Sequence, residues 1–66
     1  MNKIETVKVN EVVEQWRISP SFWDIIGAKS GTVYFRFSRA VHGDEAGSYA
    51  DNFARGWNVA LTMLAQ

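Results

Sequence analysis

Apolar residues recur at helical spacing through the last third of the chain, residues 46–66. Steps of three and four residues, the repeat of one helix face, join Tyr49, Phe53, Trp57, Ala60 and Leu64. Ser48 is a suitable N-cap, and Asp51 precedes Arg55 by one helical turn, which favours an ion pair. The pattern predicts a long C-terminal helix whose broad apolar face is covered on two sides.

Two shorter segments upstream also carry helix signals. Residues 10–17 place Val13 and Trp16 at helical spacing behind an asparagine that can cap the first turn. Residues 20–26 begin with a proline, which suits the first helical position, and end at Gly27. We therefore expect two short helices before the middle of the chain.

Strict alternation predicts a strand over residues 32–41. The inward set is Val33, Phe35 and Phe37, and the outward set is Tyr34, Arg36 and Ser38. Residues 3–9 are β-branched and suit a short strand or an extended lead-in. Residues 42–45 form a polar loop before the last helix.

These elements predict an α+β fold in a single domain, residues 1–66. A small antiparallel sheet carries two short helices, and the long C-terminal helix packs across it. Aromatic residues make up 14% of the chain, more than one core of 66 residues readily encloses. Some of this aromatic surface is therefore expected at an interface.

Composition narrows the classes of function. The chain has no cysteine, so disulfides and thiolate zinc sites are excluded, and a reducing compartment such as the cytoplasm is expected. Seven basic and seven acidic residues balance, which gives no general attraction to nucleic acid or to anionic membranes. Polar and charged residues interrupt every window long enough to span a membrane. No cofactor is expected.

One loop holds the residues most suited to catalysis or metal binding, His42, Asp44 and Glu45. An imidazole beside carboxylates can bind a cation or transfer protons. No second cluster completes such a site, and acids before a helix are also favoured by its positive end. We therefore expect a solvated loop, no metal site, no catalytic residue and no enzymatic activity.

Residues 11–26 carry a helix with Val13, a tight turn, and a helix with Trp23, a spacing that resembles a helix-turn-helix. With the strand at residues 32–41, the segment resembles a small winged nucleic-acid-binding domain. The side chains that would contact nucleic acid are Arg17, Lys29, Tyr34, Arg36 and Arg39. The alternatives are two short helices packed by their aromatics, and an ion pair between Arg36 and Glu5 on a neighbouring strand.

The favoured interpretation is a non-enzymatic protein-interaction module. It is either a homodimer or a small regulator or inhibitor that docks on a larger protein, as accessory proteins of bacteria and phages do. The predicted contact residues are Trp16, Phe22, Trp23, Gly56 and Trp57, the glycine allowing close packing. The nucleic-acid-binding regulator remains the alternative.

Overall fold

The computed structural model describes residues 10–64. Its sheet is antiparallel, with the strands β1 (Val13–Ser19), β2 (Phe22–Gly27) and β3 (Val33–Ser38) in the spatial order β1-β2-β3. The helical part comprises α1 (Arg39–His42), a 3₁₀ turn (Gly43–Glu45) and α2 (Ala46–Leu64). α2 packs on one face of the sheet and contacts all three strands. The predicted α+β class and the long helix across an antiparallel sheet are confirmed.

The two short helices predicted at residues 10–17 and 20–26 are wrong, because these residues form the β1–β2 hairpin. Val13 is 3% exposed beneath α2, whereas Trp16 is 53% exposed on the opposite face. Residues three apart lie on opposite faces of a strand, so the spacing of Val13 and Trp16 also fits a strand with one of them buried and the other exposed. The resemblance of residues 11–26 to a helix-turn-helix is wrong for the same reason.

β-branched and aromatic side chains make up three of the seven residues of β1 and four of the six residues of β2, and such residues fit the pleated surface of a sheet. Pro20 and Ser21 form the turn between the strands, where a proline supplies the φ angle that the turn needs. The Ser21 N–H donates to the Ser19 hydroxyl across this turn (3.1 Å). The proline that was expected to begin a helix therefore closes a hairpin.

Tyr34 forms a β-bulge in β3, because its neighbours Val33 and Phe35 pair with two adjacent residues of β2 and leave Tyr34 without a partner in the register. This bulge turns the Tyr34 ring to the helix side, where its centroid lies 4.8 Å from that of Trp57. Val33, half exposed, pairs with Ile26 on the opposite face. The predictions that Tyr34 shares an outward face with Arg36 and that Val33 points inward are therefore wrong.

The strand predicted over residues 32–41 ends at Ser38, because the next four residues form α1. The predicted loop at residues 42–45 consists of the last residue of α1 and the 3₁₀ turn. Gly43 has φ +62, a conformation that favours glycine. The strand or lead-in predicted for residues 3–9 lies outside the described residues.

The buried face of α2 is built mainly from alanine. Ala46, Ala50, Ala54 and Trp57 are its buried residues. Ala50 and Ala54 come from one flank of the predicted broad face, and of its central residues only Trp57 is buried, since Tyr49 is 46% and Leu64 70% exposed. Small residues face the sheet because its inner side already carries large ones, Trp23, Ile25 and Phe37. The helix begins at Ala46, so Ser48 is not its cap, and the predicted Asp51–Arg55 ion pair is confirmed at 3.1 Å.

Side-chain hydrogen bonds fasten α2 to the first strand and to the residues before it. The Asn58 amide accepts from the Val13 N–H (2.9 Å) and donates to the Val13 carbonyl (3.1 Å). The Trp57 indole N–H donates to the Glu11 carbonyl (2.8 Å). These bonds set the angle at which the helix crosses the sheet.

Asn58→Ala removes both partners of the Val13 backbone. We expect the free energy of unfolding to fall by about 1–2 kcal/mol, because a mostly buried N–H and C=O lose their hydrogen bonds. Urea denaturation followed by tryptophan fluorescence measures this loss. Asn52→Ala, an exposed position of the same helix, carries the same change in helix propensity and should stay within about 0.5 kcal/mol of wild type. Equal effects of the two substitutions would contradict the role of Asn58.

Candidate functional site

The face of the sheet that α2 does not cover is here called the outer face. Alternation along the strands gives it Glu14, Trp16, Phe22, Asp24, Ile26, Val33 and Arg36. No residue in the described part of the chain forms a second layer over it. A solvent-facing side of an antiparallel sheet is ordinarily polar. This face instead combines aromatic and aliphatic side chains with a single central ion pair.

The ion pair at the centre of the outer face joins Arg36 of β3 to Asp24 of β2. The Arg36 Nε donates to one carboxylate oxygen (2.6 Å) and its Nη2 to the other (2.9 Å). Asp24 is 2% exposed, whereas the Arg36 side chain is half exposed. Hydrogen bonds from the guanidinium hold the pKa of Asp24 below its usual value, against the effect of burial. The pair is therefore ionised at neutral pH and carries no net charge.

Aromatic side chains flank this ion pair on both sides. Trp16 lies on β1 directly across from Asp24, and its indole N–H donates to Glu14 (2.9 Å). The Phe22 ring lies 5.0 Å from the Arg36 guanidinium, close enough for a cation–π contact. Trp16 is 53% and Phe22 37% exposed. The outer face thus presents two partly exposed rings in a geometry fixed by hydrogen bonds and stacking.

The other predicted protein-contact residues lie elsewhere. Trp57 is buried between α2 and the sheet. Trp23 packs on the inner side of the sheet, where Gly47 leaves room for its indole. Arg17 stacks on the Trp23 ring at 5.3 Å. Gly56 is exposed on α2 with open space around it. Of the predicted contact residues, the structure brings together Trp16 and Phe22 on one surface.

The predicted nucleic-acid residues do not form one basic surface. Arg36 binds Asp24, Arg39 pairs with Asp44, and Arg17 lies over Trp23 on the inner side. Tyr34 packs beneath α2. Acidic residues therefore lie among the basic ones, including Glu11, whose carboxylate is hydrogen-bonded to Tyr34 and to the backbone of Lys29. The Arg36–Glu5 pair considered from the sequence involves a residue outside the described range.

The loop expected to be solvated holds its histidine against other rings. His42 lies 4.6 Å from Tyr49 and 5.4 Å from Phe37, measured between ring centroids. Asp44 pairs with Arg39. Residues 10–64 contain no group of three histidine, cysteine or acidic side chains suited to a metal ion. A depression of about 350 Å³ beside the loop is lined by Glu45, Ser48, Tyr49 and Asn52 and is open to solvent.

Glu11 organises the turn between β2 and β3, a role that its sequence position did not indicate. Its carboxylate accepts from the backbone N–H groups of Lys29 (3.1 Å) and Ser30 (3.0 Å), from the Ser30 hydroxyl (2.6 Å), and from the Tyr34 hydroxyl. A Cβ at Gly27 would lie only 2.5 Å from this carboxylate, so the site requires glycine there. The Ser30 and Tyr34 hydroxyls, with the backbone N–H groups, lower the pKa of Glu11 to about 2.

This lowered pKa predicts how stability changes with pH. The folded pKa of about 2 lies below the ordinary value of 4.5, so the ionised carboxylate stabilises the fold above about pH 5. That contribution disappears as the pH falls from about 5 towards 2. We expect Glu11→Gln to be less stable than wild type at pH 7 and to lose stability less steeply on acidification.

Urea denaturation at a series of pH values measures both effects. Glu45→Gln, a change to an exposed carboxylate on the 3₁₀ turn, serves as the matched control. It should follow the wild-type profile. A Glu11→Gln profile parallel to that of wild type would show that Glu11 does not carry the acid dependence.

No family model, no curated protein and no solved structure matches the chain. Within residues 10–64, no helix has the combination of length and hydropathy that a bilayer span requires. The case for a function therefore depends on the surfaces of the fold, and first on the outer face of the sheet.

Proposed function

We propose that this protein is a non-enzymatic protein-interaction module that docks on a larger protein through the outer face of its sheet. The observation that carries the proposal is the partial exposure of Trp16 and Phe22 on a face that α2 leaves open. Exposed aromatic rings held in one geometry lose little conformational entropy on binding. They are also the residue types that contribute most to protein–protein affinity.

The charges on this face limit the kind of partner. Asp24 and Arg36 neutralise each other, and Glu14 accepts a hydrogen bond from Trp16. Nε and Nη2 of Arg36 bind Asp24, so the exposed Nη1 edge can donate to a further acceptor. The complementary surface is therefore apolar with one carboxylate or carbonyl opposite Arg36. A nucleic-acid backbone would instead meet the exposed Glu14 carboxylate and an arginine that Asp24 already neutralises.

A regulator or inhibitor is the role that fits such a module best. A small sheet with two partly exposed rings can cover a site on a larger protein without chemistry of its own. The lack of cysteine supports a reducing compartment, the cytoplasm. This role rests on the outer face alone and does not depend on whether the chain is monomeric.

Substitution of the two rings tests the proposal. Trp16→Thr with Phe22→Thr keeps residues suited to strands while removing the aromatic surface. Val59→Thr, an exposed position on α2 behind the sheet, is the control. Partners are captured on immobilised protein and identified by quantitative mass spectrometry. Candidates are then purified, and their Kd is measured by calorimetry.

We expect a protein that binds wild type and the Val59→Thr control but loses at least about thirtyfold in affinity for the double variant, since even one anchor ring contributes about 2 kcal/mol. Circular dichroism and urea denaturation establish that the double variant is folded. Equal binding by all three proteins would overturn the proposal. The nucleic-acid alternative would instead be established if the protein were retained on DNA at low salt and the double substitution Arg36→Ala with Arg39→Ala abolished this retention.

A further inference from the structure

The two edges of the sheet differ in how their backbone is protected. In an antiparallel pair, the N–H and C=O of one residue both point to the same side, and this side alternates along the strand. Asn58 binds both groups of Val13, so these groups point away from β2, and the amide covers the outer edge of β1 at this position. Within residues 10–64, no side chain forms an equivalent bond to the backbone of β3.

β3 also lacks the usual features that prevent an edge from pairing. Its sequence Val-Tyr-Phe-Arg-Phe-Ser contains no lysine and no proline. Its one charged side chain, Arg36, is neutralised by Asp24. The bulge at Tyr34 lies at one end, which leaves the segment from Phe35 to Ser38 regular. From Phe35 to Ser38 the strand therefore presents a regular edge without net charge.

Apolar side chains of α2 line the same side of the molecule. Tyr49 and Phe53 stack with rings of β3, so the flank of the helix that carries them lies on the β3 side of the sheet. On a helical wheel Gly56 and Met63 share this flank. Phe35 is 47%, Tyr49 46% and Met63 68% exposed, and Gly56 has open space around it. Edge and flank form one largely apolar surface, with Glu45 at its border beside Tyr49.

We infer that this surface pairs with a second copy of the chain, with the two β3 strands antiparallel about a two-fold axis. The sheet then continues through six strands, and both α2 helices lie on the same side of it. With strands about 4.8 Å apart, helices centred over the two β2 strands lie about 14 Å from each other. That gap is wider than a direct helix contact, and the rings of Phe35, Phe53 and Tyr49 are placed to fill it.

Charge and area support a copy of the same chain as the occupant. The net charge is zero, so two copies do not repel each other. Glu45 lies at the border of the surface beside Tyr49, and the other described residues of the surface carry no charge that would select a charged partner. Half-exposed aromatics contribute about 100 Å² each, and the whole surface about 500 Å² per copy. The resulting total of about 1,000 Å² is at the lower limit for a specific interface, which predicts a reversible dimer.

The inference goes beyond the proposed function, because the outer face is not part of this contact. The test is the molar mass by light scattering on a sizing column, from about 1 mM to about 1 µM of protein. Wild type should approach twice the monomer mass at the high end and fall towards the monomer mass on dilution. Met63→Glu places a carboxylate on the flank and should shift this transition to at least tenfold higher concentration.

Two controls separate self-association from other effects. Thr62→Glu adds the same charge in the same helical turn on the other side of α2 and should dimerise as wild type does. Trp16→Thr with Phe22→Thr should dimerise normally even where it no longer binds a partner protein. Wild type that stays monomeric at about 1 mM would overturn the inference. So would a dimer that is unchanged by Met63→Glu but is dissociated by the outer-face variant.

Discussion

The close packing of an alanine-lined helix on large sheet residues is the contact on which the other contacts depend. Ala50 and Ala54 bring the axis of α2 near to Ile25 and Phe37. Only at that distance can Asn58 reach the backbone of β1 and the Trp57 indole reach the residues before it. Larger side chains on this helix face would lift the helix and break these hydrogen bonds together.

The same packing explains why so much aromatic surface faces outward. Inner positions of a three-stranded sheet are few, and Trp23, Ile25 and Phe37 occupy them beneath the helix. Tyr34 and Trp57 also pack between the helix and the sheet. The other rings lie on the outer face (Trp16, Phe22) or beside β3 on the helix side (Phe35, Tyr49, Phe53). The surplus is thus divided between two separate surfaces. This division allows either surface to be changed by substitution without altering the other.

The sequence was sufficient to predict the fold class and the long helix, but not the elements before residue 28. Val13 and Trp16 fit both a helix and a strand, and only pairing with β2 decides between them. The bulge at Tyr34 depends on register, which the local sequence does not specify. The apolar face of α2 is broad, so the sequence did not decide that Ala50 and Ala54, rather than Tyr49 and Leu64, turn towards the sheet. The Asp24–Arg36 pair depends on the pairing of β2 with β3, whereas the sequence pattern predicts a helix for the residues of β2.

Asn58 has a consequence for the size that an assembly can reach. Its amide offers Val13 the donor and acceptor that another peptide backbone would offer, so β1 is closed to a further strand at that position. A sheet with two open edges can add subunits at both and grow into a fibre. The bonds from Asn58 cover the outer edge of β1 at Val13 and so shorten the stretch of β1 to which a further strand could pair. Asn58, a residue of the helix, thus limits the pairing of further strands with the β1 edge of the sheet beneath it.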